Sequence, residues 1–216
     1  MAVAGDDLFV TSRTNSSRGW VGAKVTKFNA SSGASVWVAP ERKVDDPAAV
    51  AVAGDDVFVA DGYEDSVTEL SASTGAPVRV LSGAAYKFKA PNAMAVADNN
   101  LFVTRISDEK TSSGPPSSAP DSISELDVST GALVRVILGA AYKFDLPVAM
   151  VVAGDDLFVA NEEGNSVTEL NASTGALVRV FSSAAYKFDL PVAMAVAGDD
   201  LFVANYKGNS VTELSI

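Results

Sequence analysis

Apolar residues in this chain come in short runs, each closed by a cluster of Gly, Asn, Asp or Ser. Residues 148–153 (VAMVVA) end at Gly154-Asp155-Asp156, and 157–161 (LFVAN) end at Glu162-Glu163-Gly164-Asn165. Residues 166–170 (SVTEL) end at Asn171-Ala172-Ser173-Thr174-Gly175, and 176–182 (ALVRVFS) follow. Runs of five to seven residues, rich in Val, Phe and Thr and bounded by turn formers, predict strands a, b, c and d of an antiparallel meander. None is long enough to predict a helix.

The same four runs recur along the chain. The phrase AVAGDDLFV or a close variant starts at Ala2, Ala51, Ala95, Val151 and Ala195, at spacings of 49, 44, 56 and 44 residues. Residues 151–170 and 195–214 differ only at the first, twelfth and thirteenth positions, the mark of recent duplication or design. A four-stranded meander repeated every 44 or so residues is the unit of a β-propeller. The expectation is an all-β, five-bladed propeller in one domain spanning 1–216, with four-stranded antiparallel blades at about 1–46, 47–90, 91–146, 147–190 and 191–216. Run a is mostly Ala, Val and Met, as strands converging on an axis require. Run b is apolar on both faces, as a strand sandwiched between blades should be. Run d alternates, with Arg79, Arg135 and Arg179 between valines, which predicts an outer strand with one face in water.

FVANxxGNSVTEL followed by NASTGALVRV resembles the NHL and YVTN repeat families of bacterial β-propellers, in which a Tyr-Val-Ala-Asn or Tyr-Val-Ala-Asp run ends the second strand. Phe replaces that Tyr in FVADG (58–62), FVANE (158–162) and FVANY (202–206). The resemblance spans nearly the whole chain and implies the fold. For function it implies little, because such propellers serve as binding scaffolds, lyases and structural modules. Members are often exported in bacteria, which leans the expected compartment towards the extracellular side.

Strands a to d occur four times and then a to c once, so the last blade is expected to lack its outer strand. Met1 occupies the place of Met94, Met150 and Met194, so the chain begins inside a repeat, which fits a shortened gene or fragment. An unpaired edge at Ser210, Val211, Thr212, Glu213 and Leu214 would be a template for a partner strand or for self-association. Glu69, Glu125 and Glu169 accompany Arg79, Arg135 and Arg179 at constant spacing, whereas blade 1 carries Lys27 and Trp37 there. This predicts a cross-strand pair worth about 0.2–1 kcal/mol where exposed. Glu213 is left without its Arg.

Length variation falls in one class of loop. Val59 to Val67 and Val159 to Val167 are each 8 residues apart, but Val10 to Val25 is 15 and Val103 to Ile123 is 20, so both insertions lie between b and c. In a meander these loops share a face with the d-to-a crossings, and a varied face on a constant scaffold is where binding is diversified. Blade 1 offers the loop Ser12 to Trp20 with Arg13, Arg18 and Trp20. Blade 3 offers Arg105 and the Ser/Pro-rich flap 111–120, and the short loops offer Tyr63 and Tyr206. Those six residues are the candidate ligand site, an aromatic and cationic platform for a glycan, peptide or protein; drift on solvated loops is the plain alternative. The crossings repeat AAYKF, with Tyr86/Phe88, Tyr142/Phe144 and Tyr186/Phe188 expected to plug the gaps between blades. On the opposite face, Asp6-Asp7, Asp55-Asp56, Asp155-Asp156 and Asp199-Asp200 read as turn formers, with no dedicated loop for a metal ion.

Composition narrows the chemistry. The chain has 16 Lys plus Arg against 27 Asp plus Glu, a net charge of -11, which disfavours nucleic acid or an anionic membrane as partner. No run approaches the roughly 18 apolar residues of a membrane span. With neither His nor Cys, Ser-His-Asp and Cys-His catalysis and imidazole or thiolate metal sites are excluded. Streptogramin lyases resemble this repeat class and use a His, so that mechanism is closed to this chain. A glycosidase needs two carboxylates about 5–9.5 Å apart, and no unique pair stands out. The reading is a non-catalytic binding or scaffold module, with no catalytic residues, cofactor or metal expected; a self-associating structural unit is the alternative, and a carboxylate hydrolase or lyase ranks last.

Overall fold

The computed structural model describes residues 1–16, 19–39, 44–107 and 119–216, with the side chains of 14–16 and 19–22 also outside the description. Blade 1 comprises β1 (Ala2–Ala4), β2 (Asp7–Ser16), β3 (Gly19–Asn29) and β4 (Ser35–Val38), and blade 2 comprises β5 (Pro47–Ala53), β6 (Asp56–Asp61), β7 (Ser66–Ser71) and β8 (Pro77–Ser82). Blade 3 holds β9 (Met94–Ala97), β10 (Asn100–Arg105), β11 (Ser122–Asp127) and β12 (Leu133–Ile137). Blade 4 holds β13 (Pro147–Ala153), β14 (Asp156–Asn161), β15 (Ser166–Asn171) and β16 (Leu177–Phe181). Blade 5 has β17 (Pro191–Ala197), β18 (Asp200–Asn205) and β19 (Ser210–Ser215). Each blade is an antiparallel meander in chain order, so the protein is an all-β, five-bladed propeller whose last blade has three strands.

The hairpins explain themselves locally. Ala53 pairs with Asp56 around Gly54-Asp55, and Gly54 takes φ +57°, a conformation that costs a Cβ-free residue nothing. After strand c of blades 1, 3 and 4, an Asx side chain, Asn29, Asp127 or Asn171, closes the turn. Asp127 Oδ1, for example, accepts from the Thr130 N–H and from the Ser129 and Thr130 hydroxyls at 2.7 Å each. Three acceptances hold that carboxyl down at about 2.

The core lies between blades, not within them. Each blade turns one face forward, with the Phe of strand b and the Val or Ile of strand c. The next blade answers with the Leu or Val of its own strands b and c. Phe58, Val67 and Leu81 of blade 2 thus pack on Leu101, Val103 and Leu126 of blade 3. Phe102, Ile123 and Ile137 pack on Leu157, Val159 and Leu170, and Phe158, Val167 and Phe181 on Leu201, Val203 and Leu214. Tyr86 stacks with Phe88 at 5.4 Å, Tyr142 with Phe144 at 5.3 Å and Tyr186 with Phe188 at 5.6 Å, and all three pairs pack against these inter-blade clusters. In blade 5 the backward-facing Leu201 and Val203 are buried, while Phe202 and Ala204 are only half-buried. Its forward face is open.

Two expectations about the outer strands are corrected. The alternation in run d is real, but the valines Val78, Val80, Val134 and Val178 face water, at 49–55% exposure, while Arg79 and Arg135 turn inward and are half-buried and Arg179 stays exposed. The reason is the glutamate opposite each arginine, which is buried and not exposed: Glu69 is 3% exposed, Glu125 0% and Glu169 4%. Arg79 pairs with Glu69, and Arg179 with Glu169. Arg135 Nη2 donates to Glu125 Oε1 at 3.1 Å, and its Nε lies 2.7 Å from Oε2. That second contact is an ion pair whose angle falls short of a hydrogen bond, so Oε2 has no hydrogen-bond partner. Burial raises the Glu125 pKa, and Arg135 pulls it part of the way back.

The arginines also bind the next blade. Arg79 Nη2 donates to Val128 O at 2.6 Å, and Arg135 Nη2 donates to Ser173 O at 2.7 Å while its Nη1 donates to Thr174 O. Blade 1 solves the same problem with different atoms. Lys27 and Trp37 lie opposite each other in register, and both donate to Ala72 O of blade 2, at 3.2 and 3.0 Å. Ala72 and Val128 occupy equivalent places in their repeats, so the joint change in blade 1 keeps one function: a donor that ties the outer strand to the following blade, as in blades 2 and 3.

Candidate functional site

In blades 2, 4 and 5 the b-to-c loops are anchored by the last residue of strand b. Asp61, 1% exposed, accepts from the Tyr63 and Glu64 N–H groups through Oδ1 and from the Asp45 and Asp46 N–H groups through Oδ2, at 2.6–3.2 Å. Its carboxylate therefore joins the b-to-c loop of blade 2 to the crossing that enters the blade. Asn161 and Asn205 do this for blades 4 and 5. Asn161 Nδ2 donates to Thr168 Oγ1 at 2.9 Å and its Oδ1 accepts from the Asp145 N–H at 3.4 Å; Asn205 makes the matching bonds to Thr212 and from Asp189. In blade 3, Asp121 accepts from the Ser107 and Leu146 N–H groups at 2.6 and 2.7 Å. The threonines extend the link, since Thr168 and Thr212 donate to the Tyr142 and Tyr186 carbonyls of the preceding crossings. Sequence reading treated this Asn/Asp only as a family signature; its role as the anchor of the varied face depends on which crossing lies beside it.

The six candidate residues separate into three groups on this scaffold. Tyr63 and Tyr206 stand 76% and 71% exposed at the centres of two short loops whose bases are fixed by Asp61 and Asn205. Arg13 and Arg105 have structural partners. Arg13 Nη1 pairs with Asp46, whose N–H reaches Asp61, so the blade 1 arm is linked through two carboxylates to the Tyr63 loop. Arg105 Nη1 donates to Ala119 O and Pro120 O at 3.0 and 2.8 Å, closing the base of the blade 3 insertion. Arg18 lies outside the described residues, as do the Trp20 side chain and residues 111–118 of the flap. The expected loop Ser12 to Trp20 is corrected: β2 and β3 extend through most of it and pair as far as Ser16 opposite Gly19, so the insertion is a protruding hairpin.

Beside Tyr63 lies a cleft of about 380 Å³ lined by Asp45, Asp61, Glu64, Ser66, Thr68, Val80 and Ser82. Its three carboxylates give it a negative potential that suits a basic segment. On the opposite face the Asp pairs sit at the a-to-b hairpins; among the described residues no three carboxylates are grouped to hold a metal ion.

The family model described as outer membrane protein assembly factor BamB matches residues 21–216. The chain belongs to this β-propeller repeat family. The match supports the β-propeller repeat family expected from the sequence, with the repeated four-stranded blade as common ground, and does not single out the NHL or YVTN repeats. Similar solved structures show the fold. The structure of BamB from Moraxella catarrhalis superposes with a TM-score of 0.59 at 16% identity, over 98% of this chain and 58% of that one. A nidogen/laminin complex gives 0.70 at 17% identity, over 89% and 68%. A functionally unknown protein from Desulfotomaculum acetoxidans gives 0.64 at 14% identity, over 89% and 58%. This chain thus spans little more than half the length of the BamB structure. No protein of curated function matches it in sequence.

Proposed function

We propose that this BamB-family propeller is a non-catalytic scaffold that holds a protein or peptide partner on its b-to-c face. The observation that carries the reading is the pair Tyr63 and Tyr206, large exposed rings held by loops that buried Asp61 and Asn205 fix in place. A rigid aromatic on a preorganised loop gives contact area at little entropic cost, which is how binding surfaces use Tyr. The acidic cleft beside Tyr63 favours a basic segment over a neutral glycan. The family description, an assembly factor, fits a protein partner. Arg13 and Arg105 serve this face as braces, and Arg18 and Trp20 are proposed members of the same surface.

The test is co-purification from an extract of the source cells. Tyr63→Ala with Tyr206→Ala should lower recovery of the bound protein at least tenfold with the melting temperature unchanged, whereas Asp155→Ser on the opposite face should not. Equal loss from both faces, or retention by the double variant, would remove the b-to-c face from the account.

A further inference from the structure

Asp61 is a buried carboxylate with no cation beside it. The buried glutamates Glu69, Glu125 and Glu169 each pair with an arginine, whereas Asp61 is held by four N–H groups and makes no ion pair among the described residues. Together with Ser66 and Thr68, also buried, it forms the floor of the cleft of about 380 Å³. The exposed side chains of Asp45, Glu64 and Val80 form its rim.

Blades 4 and 5 show what an aspartate changes at this place. There Asn161 Nδ2 donates to Ser166 Oγ at 3.2 Å, and Asn205 Nδ2 donates to Ser210 Oγ at 3.3 Å. Ser66 is the equivalent serine of blade 2, and a carboxylate that already accepts four N–H groups gives it no donor. The Ser66 hydroxyl, at 6% exposure, therefore lines the cleft with no hydrogen-bond partner among the described residues. A polar group buried in this way costs stability until a ligand completes its bonding.

The lining defines that ligand. Its described residues include no cation and no amide, only carboxylates, hydroxyls and one valine. A guanidinium carries five N–H donors in a planar fork, enough to reach the Ser66 oxygen and the Asp45 and Glu64 carboxylates together, while its methylene stem covers Val80.

We propose that the cleft is a pocket for one arginine side chain of the protein partner, with Asp61 and Ser66 at its base and Asp45 and Glu64 at its mouth. The source of that arginine rests on the reading of the b-to-c face given above; the pocket's preference for a guanidinium does not.

The probe is N-acetyl-arginine methylamide, titrated into the isotope-labelled full chain and followed by amide shifts in NMR. Saturable shifts should appear at 64–68 and 80–82. The citrulline analogue, uncharged and nearly the same shape, should bind roughly tenfold more weakly or worse, and the lysine analogue should also bind more weakly. Asp61→Asn recreates the side chain that blades 4 and 5 carry and should weaken the arginine probe roughly tenfold; Ser66→Ala should weaken it about threefold, and Asp155→Ser on the opposite face should not. Equal binding of the arginine and citrulline or lysine analogues, shifts elsewhere, or unchanged affinity in Asp61→Asn would overturn the proposal. Binding that appears only after Arg42→Ser with Lys43→Ser would overturn it in favour of a cleft that the chain's own cations satisfy. The titration needs no partner, so its failure leaves the Tyr63 and Tyr206 test standing, and the failure of that test leaves this one.

Discussion

Replacing Arg135 by Met isolates the clamp between outer strands and following blades. Glu125 has no exposed surface, and Arg135 is the cation that offsets its burial. A buried ion that loses its partner costs about 3–5 kcal/mol. Protonation limits this cost: from the ordinary value of 4.5, neutralising a carboxylate at pH 7 takes about 3.4 kcal/mol, at 1.36 kcal/mol per unit. The bonds to Ser173 O and Thr174 O end at an exposed turn that water can solvate, so their loss adds about 1 kcal/mol. The expected loss at pH 7 is therefore about 4 kcal/mol. Burial raises the folded-state pKa of Glu125, and without Arg135 the rise is greater, so the folded variant takes up a proton as pH falls and its deficit shrinks. At pH 5 the neutralisation part falls to about 0.7 kcal/mol, again at 1.36 kcal/mol per unit. Urea unfolding at pH 7 and pH 5 reads both numbers, and Glu125→Gln added to Arg135→Met should restore most of the neutral-pH loss. An equal deficit at the two pH values, or no rescue by the second substitution, would refute the reasoning.

Trp37→Phe removes the indole N–H that reaches Ala72 O while keeping an aromatic ring, and should cost about 1 kcal/mol in calorimetry. Asn161→Leu removes the amide that donates to the buried Thr168 hydroxyl and accepts from the Asp145 N–H, and should cost about 1–3 kcal/mol with faster amide exchange at 162–165. Asp127 has a depressed pKa, about 2 against 3.8, so its contribution is complete above the unfolded value and is lost as pH falls through the folded one. Asp127→Ala should therefore be less stable than the parent protein at pH 5, and the two should converge below pH 2 in acid unfolding.

The strands were legible because each run is short and each turn carries its own chemistry: 166–170 reads as a strand from composition alone, and β15 is Ser166–Asn171. The central stacking of blades was legible too, since run b is apolar on both sides. What escaped was anything decided by the next blade. Arg135 between two valines looks like a solvent-facing cation, and only the placement of Ser173 and Thr174 beside it shows why it turns inward. Arg13 and Arg105 are drawn into the scaffold by Asp46 and by the Ala119 and Pro120 carbonyls, partners distant in sequence. The hairpin of blade 1 escaped for another reason: Ser, Thr, Asn and Arg read as loop composition, yet here they pair as antiparallel strands, with Ser12 opposite Lys24 and Arg13 opposite Ala23.

Site-specific photo-cross-linking tests the central claim most directly. A benzophenone amino acid is placed at Tyr63, at Tyr206 and, as the opposite-face control, at Asp155, and the protein is irradiated in an extract of the source cells. Binding through the b-to-c face predicts a discrete protein adduct of the same mass from Tyr63 and Tyr206 and none from Asp155. Adducts of equal yield from all three positions, or from Asp155 alone, would contradict it.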